Sequence, residues 1–228
     1  SSYFGIVDLC GIPKDRYYLY KSYWKPEETT VHILPHWNWE GREGEITPVF
    51  VYTNGDCAEL FLNGKSLGKE CKKPKSDSAL MRFRLMWPEV KYEPGELKAV
   101  AYKQGEKIGE SIVKTAGEPY SIRLTPDRKE IKANGKDLSY ILIEAIDKEG
   151  NVCPKADNEI EITLKGPGRI AGAGNGNPRS FNPFQSDSVP LFYGKAMLIV
   201  GSNFTDGEIE IETETENLKT ASVTIEVK

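Results

Sequence analysis

The sequence predicts an all-β protein: two antiparallel β-sandwiches in series, preceded by one short helix. Three observations carry this. From about residue 30 onward apolar side chains recur at every second position, the period of a strand with one buried face. Asn-Gly pairs at 54–55, 63–64 and 134–135 punctuate these runs and supply the positive φ that tight hairpin turns need. The alternation breaks at 115–119, and the charge changes there too. Residues 1–116 hold 17 basic and 16 acidic side chains, net +1, whereas 117–228 hold 13 and 18, net −5.

In chain order, residues 11–24 predict the helix. Pro13 suits a first helical turn, and Asp15 near the start and Lys21 near the end complement the helix dipole. Tyr17, Tyr20 and Trp24 follow at i, i+3, i+7, more aromatic surface than a short helix buries alone, so it must dock on a partner. Val31, Ile33 and Trp37 begin the strand pattern. Residues 48–53 run into Asn54-Gly55 and 58–62 into Asn63-Gly64. Residues 80–87 read as one strand, with Met81, Phe83 and Leu85 on one face and Leu80, Arg82 and Arg84 on the other. Residues 97–102 and 108–113 flank a turn at Gln104-Gly105. In the second half, 120–124, 130–133, 140–146, 160–164, 208–212 and 222–227 predict strands. The acidic stripe from Glu208 through Glu210, Glu212, Glu214 and Glu216 reads as a solvated strand face rather than a calcium site, because isoleucines occupy the alternate positions 209 and 211. Residues 172–187 break the pattern and exceed a hairpin turn; Phe181 and Phe184 within them predict an anchored loop.

Composition excludes several classes of function. A net charge of −4 over 228 residues gives no basic field for nucleic acid. No apolar run approaches the roughly 18 residues of a membrane span. The four cysteines (Cys10, Cys57, Cys71, Cys153) and two histidines form no ligand cluster, so neither metal nor other cofactor is expected. Cys57 and Cys71 could meet across a hairpin; we read the cysteines instead as buried free thiols acting as small hydrophobes.

Two groups of residues are candidates for binding a sugar. His36, Trp37 and Trp39 could form a platform, since aromatic faces stack on the apolar C–H faces of pyranose rings, and Trp37 and Trp39 share a face if the segment is extended. The competing reading makes both tryptophans packing anchors. Asn175, Asn177 and Arg179 lie on the Gly-rich loop and could reach a substrate; Asn and Gly equally suit a purely structural turn.

Residues 4–20, beginning Phe4-Gly5-Ile6-Val7-Asp8, resemble the end of the catalytic (β/α)8 barrel of bacterial glycoside hydrolase family 2 β-galactosidases. Residues 31–39 and 51–68, with the phrase Leu60-Phe61-Leu62-Asn63-Gly64-Lys65-Ser66, resemble the immunoglobulin-like domain that follows that barrel. Residues 172–184 resemble a loop of the second C-terminal sandwich in the same enzymes. The resemblance implies a barrel remnant at 1–28, an immunoglobulin-like sandwich at 29–116 and a second at 117–228. It also implies an accessory region that is inactive alone. The family's two catalytic glutamates, placed about 5–5.5 Å apart in a retaining site, have no matching positions here. The implied partner is the barrel of the same parent chain, which would be periplasmic or secreted, with galactosides and a second copy as further candidates. An autonomous carbohydrate-binding module, or a spacer or interaction domain, is the alternative.

Overall fold

The computed structural model describes residues 4–228; residues 1–3 of the expected barrel remnant lie outside the described residues. The chain divides into two compact units, one spanning 13–115 and the other combining 4–12 with 116–228. The helix and the residues before it therefore cluster with different units rather than forming a body of their own.

The 13–115 unit contains α1 (Asp15–Trp24), β1 (Val31–Leu34), β2 (Val49–Thr53), β3 (Cys57–Leu62), β4 (Lys65–Cys71), α2 (Ala79–Phe83), β5 (Leu85–Trp87), β6 (Glu96–Lys103) and β7 (Glu106–Lys114). Two sheets, ordered β1-β2-β5 and β4-β3-β6-β7, enclose one core. Ile33, Val49, Val51 and Leu85 of the first face Ala58, Leu60, Leu97 and Ala99 of the second. Each fully buried leucine or isoleucine contributes roughly 1.5–3 kcal/mol. α1 docks through Ser22, which is buried, and through Tyr18, whose ring stacks on His32 of β1 at 3.9 Å. The Tyr20 and Trp24 side of α1 stays exposed, opposite to the side the helical spacing suggested.

Two further expectations are corrected in this unit. Residues 80–87 are not one strand: 79–83 form a helical turn, and only 85–87 pair with β2. Leu80, Met81 and Phe83 are exposed, so the alternation there had no sheet to bury it. Cys57 and Cys71 are disulfide-bonded rather than free, because the β3–β4 register sets them directly opposite each other. Cys10 and Cys153 remain thiols.

The second unit holds β8 (Ser121–Pro126), β9 (Glu130–Ile131), β10 (Leu138–Ile146), β11 (Glu159–Lys165), β12 (Gly168–Gly174), β13 (Ser188–Pro190), β14 (Lys195–Ser202), β15 (Gly207–Glu214) and β16 (Ala221–Val227). Its sheets run β12-β14-β10-β8 and β13-β11-β15-β16-β9, with all pairs antiparallel except β16–β9. Ile141, Ile143, Leu198 and Val200 meet Ile160, Ile209, Ile211 and Ile225 in its core. In β15 the glutamates 208, 210, 212 and 214 are exposed and Ile209, Ile211 and Thr213 buried, as the alternation predicts. β12, at 168–174, takes residues 172–174 out of the expected loop, which is left to span 175–187.

Candidate functional site

The expected binding residues fall into two groups, one in each unit. In the 13–115 unit, residues 36–39 lie outside the strands, and Trp37 and Trp39 both pack on the core of this unit, Trp37 fully and Trp39 in part. Trp37 is 0% exposed. Its indole N–H donates to the Glu93 carbonyl at 2.9 Å, and its ring meets Tyr92 edge-on at 5.1 Å. Its own carbonyl accepts the Thr115 hydroxyl at 2.6 Å. Trp37 is thus a core anchor. His36 and Trp39 form a different arrangement: their rings stack at 4.5 Å, and the Arg42 guanidinium lies 5.2 Å from the Trp39 ring. Glu45 accepts from Arg42 Nε at 2.8 Å and holds it there. The Trp39 indole N–H is shielded from solvent and has no acceptor among the described residues, a donor in want of a partner. Arg42 escaped the sequence reading; the signal was an arginine three residues after a tryptophan, across a Glu-Gly turn.

In the second unit, the Gly-rich loop is organised by its own asparagines. Asn175 is buried; its Nδ2 donates to the Pro190 carbonyl at 2.8 Å and its Oδ1 accepts the Asn177 N–H at 3.0 Å. Asn177 Oδ1 in turn accepts the Arg179 N–H at 3.0 Å. The two amides thereby build successive side-chain turns, and the Arg179 side chain is left exposed. Gly176 has φ +72°, and a Cβ there would run into the Asp8 carboxylate. Asp8 is tied down in its turn, its Oδ1 accepting the N–H groups of Cys10 at 2.8 Å and Ile12 at 2.9 Å. Burial, with the Asp8 charge second, pushes the Cys10 thiol up from its ordinary pKa. The Ala173 N–H donates to the Phe184 carbonyl at 2.7 Å. Together Leu9, Asn175, Asn177, Phe181 and Phe184 help line a cavity of about 250 Å3. Phe181 at its rim is 99% exposed. Among the described residues no group of three His, Cys, Asp or Glu side chains could hold a metal ion.

Known families match both units. Residues 122–224 match the glycoside hydrolase family 2 C-terminal domain 5, and residues 44–109 match a domain of unknown function, DUF4982. The β-galactosidase BoGH2A of Bacteroides ovatus is 42% identical over 225 residues, 99% of this chain. The chain belongs to the C-terminal region of glycoside hydrolase family 2 proteins. A putative β-glucuronidase of Formosa agariphila is 33% identical across 84% of the chain. A solved β-glycosidase from Bacteroides vulgatus superposes with a TM-score of 0.90 at 35% identity, covering 98% of this chain and 28% of its own. The chain spans 25% of the length of the Bacteroides ovatus protein and 18% of the Formosa agariphila protein.

Proposed function

We propose that this family 2 region is the non-catalytic C-terminal part of a retaining β-galactosidase, and that it buttresses the catalytic barrel and edges its sugar site. On this reading residues 1–28 are the end of the barrel, and 29–116 and 117–228 are immunoglobulin-like accessory domains. The observation that carries it is Phe181. Phe181 and Phe184 are both exposed on one loop whose base is fixed by Asn175, Asn177 and Asp8, which makes them an apolar pair held out for a partner rather than a lone surface residue. A partner surface that covers Phe181 and Phe184 resolves that exposure. The name and 42% identity of the Bacteroides ovatus relative support galactosides as the parent's substrates. The Cys57–Cys71 disulfide supports an oxidising compartment, periplasmic or secreted, and among the described residues no helix is long and apolar enough to cross a membrane.

The test is complementation in trans. The catalytic portion of the Bacteroides ovatus relative, made without its C-terminal quarter, should regain solubility and hydrolysis of a galactoside when mixed with this chain. Phe181→Ala with Phe184→Ala should weaken that rescue. Absence of association, with galactoside binding by this chain alone, would overturn the reading. A second reading has one observation in its favour: the acceptor-less Trp39 N–H beside His36 and Arg42 is the kind of group a sugar hydroxyl satisfies. Galactose titration of Trp39→Phe against the parent chain tests it.

A further inference from the structure

A second concavity lies within the 13–115 unit, away from both groups above. It has a volume of about 670 Å3 and is walled by Ser22 and Tyr23 of α1, Asn54 and Asp56 after β2, Lys72 after β4, and Arg82 and Phe83 of α2, two cations against one carboxylate. That size is in the range of small-molecule sites. We infer that this cavity binds an acidic sugar residue, a uronate, with the pyranose against Tyr23 and Phe83 and the carboxylate between Lys72 and Arg82.

The argument rests on what each wall still has to offer. The Tyr23 and Phe83 rings meet edge-on at 5.6 Å, and the Tyr23 hydroxyl donates to the Phe83 carbonyl at 3.2 Å, which ties α2 to α1. Each nevertheless keeps more than two-fifths of its surface exposed, 43% and 44%, and the ring surface on offer is what Lys72 and Arg82, 4.8 Å and 5.4 Å from the two centroids, leave uncovered. Among the described residues the Arg82 hydrogen bonds run through Nη1, to the Ser76 carbonyl at 3.0 Å and the Asp77 carbonyl at 3.5 Å. The Nε–Nη2 edge of its fork is therefore the edge a carboxylate can take in two parallel bonds. Lys72 Nζ donates to the Thr53 carbonyl at 2.6 Å and sits 4.8 Å from the Tyr23 ring centroid. It is an ammonium with two more protons to place; burial pulls its pKa down to about 8 against the opposing pull of Asp56. Asn54 adds shape rather than recognition. Its Nδ2 already donates to the Pro26 and Glu28 carbonyls and its Oδ1 accepts the Thr30 N–H. Two cations are too few to hold a nucleic-acid backbone. An extended peptide would need an open strand edge to pair with, and the wall here is side chains.

The experiment is isothermal titration of the chain at pH 7 with galacturonate and glucuronate di- and trisaccharides, in parallel with the neutral galactose oligomers. The acidic sugars should bind at least about tenfold more tightly than the neutral ones, since a charge-assisted pair is lost in the latter. Their affinity should fall as salt is raised. Lys72→Met and Arg82→Gln should each weaken binding about tenfold or more. Arg82→Gln alters a surface side chain on a five-residue helix, so it remains a usable test if Lys72→Met unfolds. No binding at about 10 mM sugar, equal binding of neutral sugars, indifference to Arg82→Gln, or full displacement by equimolar inorganic sulfate would each overturn the assignment. None of these outcomes bears on Phe181 or on rescue of the barrel, so the two proposals stand or fall separately.

Discussion

Trp37→Ala is the sharpest test of how the first unit is built. The side chain is fully buried, donates to Glu93, lies edge-on to Tyr92 and sits in the core that both sheets share. Truncating a buried tryptophan costs about 3–5 kcal/mol through lost transfer energy and the cavity left behind. Each kcal/mol shifts the melting temperature of a domain of this size by roughly 4–8 °C, so the expected fall is roughly 12 °C or more. The assay is unusually clean, because the chain's four tryptophans, at 24, 37, 39 and 87, all lie in the 13–115 unit. Intrinsic tryptophan fluorescence therefore reports that unit alone, while far-ultraviolet circular dichroism reports both. The same substitution at Trp39, half-buried against His36, should cost less than half as much. A Trp37→Ala melt within about 2 °C of the parent would refute the core assignment and return Trp37 to the surface.

Four further outcomes are expected. A lysine whose folded pKa is about 8, against an ordinary 10.5, binds fewer protons folded than unfolded between those values. The 13–115 unit should therefore gain stability as pH rises from about 8 toward 10. The groups facing Lys72 are Asp56, Lys103 and the Tyr23 ring. Denaturant midpoints read by tryptophan fluorescence should show the gain, and Lys72→Met should flatten it. Cys153, its thiol pushed up by burial to about 11 from 9.0, works in the opposite sense in the other unit, which should lose stability between pH 9 and 11. Cys57→Ser with Cys71→Ser opens a bridge between residues 14 apart in sequence, with an expected loss of about 3 kcal/mol, checked by melts of oxidised, reduced and variant protein. Gly176→Ala must place a Cβ at φ +72° against Asp8, at a cost of about 2–3 kcal/mol. Residues 8–12 should loosen as a result, and Cys10 should be alkylated about tenfold faster at pH 8.

The two-sandwich architecture was readable from β11, β15 and β16, where apolar and polar residues alternate along the strand, and from β3 and β10, whose apolar runs end at the turn signals Asn63-Gly64 and Gly150-Asn151. β12 and β14 were not read as strands. β12 carries Gly168, Gly172 and Gly174, which leave no side chains to mark a period. β14 lies between β10 and β12 and carries apolar residues on both faces. At 79–83 the opposite error arose: the alternation is present, but β2 offers β5 only three paired positions, so nothing holds those residues extended. The sugar-site reading divided along the same line. Asn175 and Asn177 announced a turn-built loop and formed one. The cavity around Tyr23, Lys72 and Arg82 gathers residues up to 60 positions apart, with no local pattern to betray it.

The two units differ in how early each can be finished during synthesis. The 13–115 unit is continuous, so its core is available as soon as Thr115 has left the ribosome. The other begins at residues 4–12, is interrupted by an entire domain, and is completed by Val227, which is 1% exposed and pairs with Ile131 in the one parallel ladder. At 5–20 residues per second, the 112 residues from 115 to 227 take roughly 6–22 s to emerge. For that interval the first nine described residues, Asp8 and Cys10 among them, wait without the loop that will cover them, while an already folded neighbour hangs between the halves. A stall before β16 would thus leave β15 without the strand that lies between it and β9, an unpaired sheet edge of the kind from which aggregation starts.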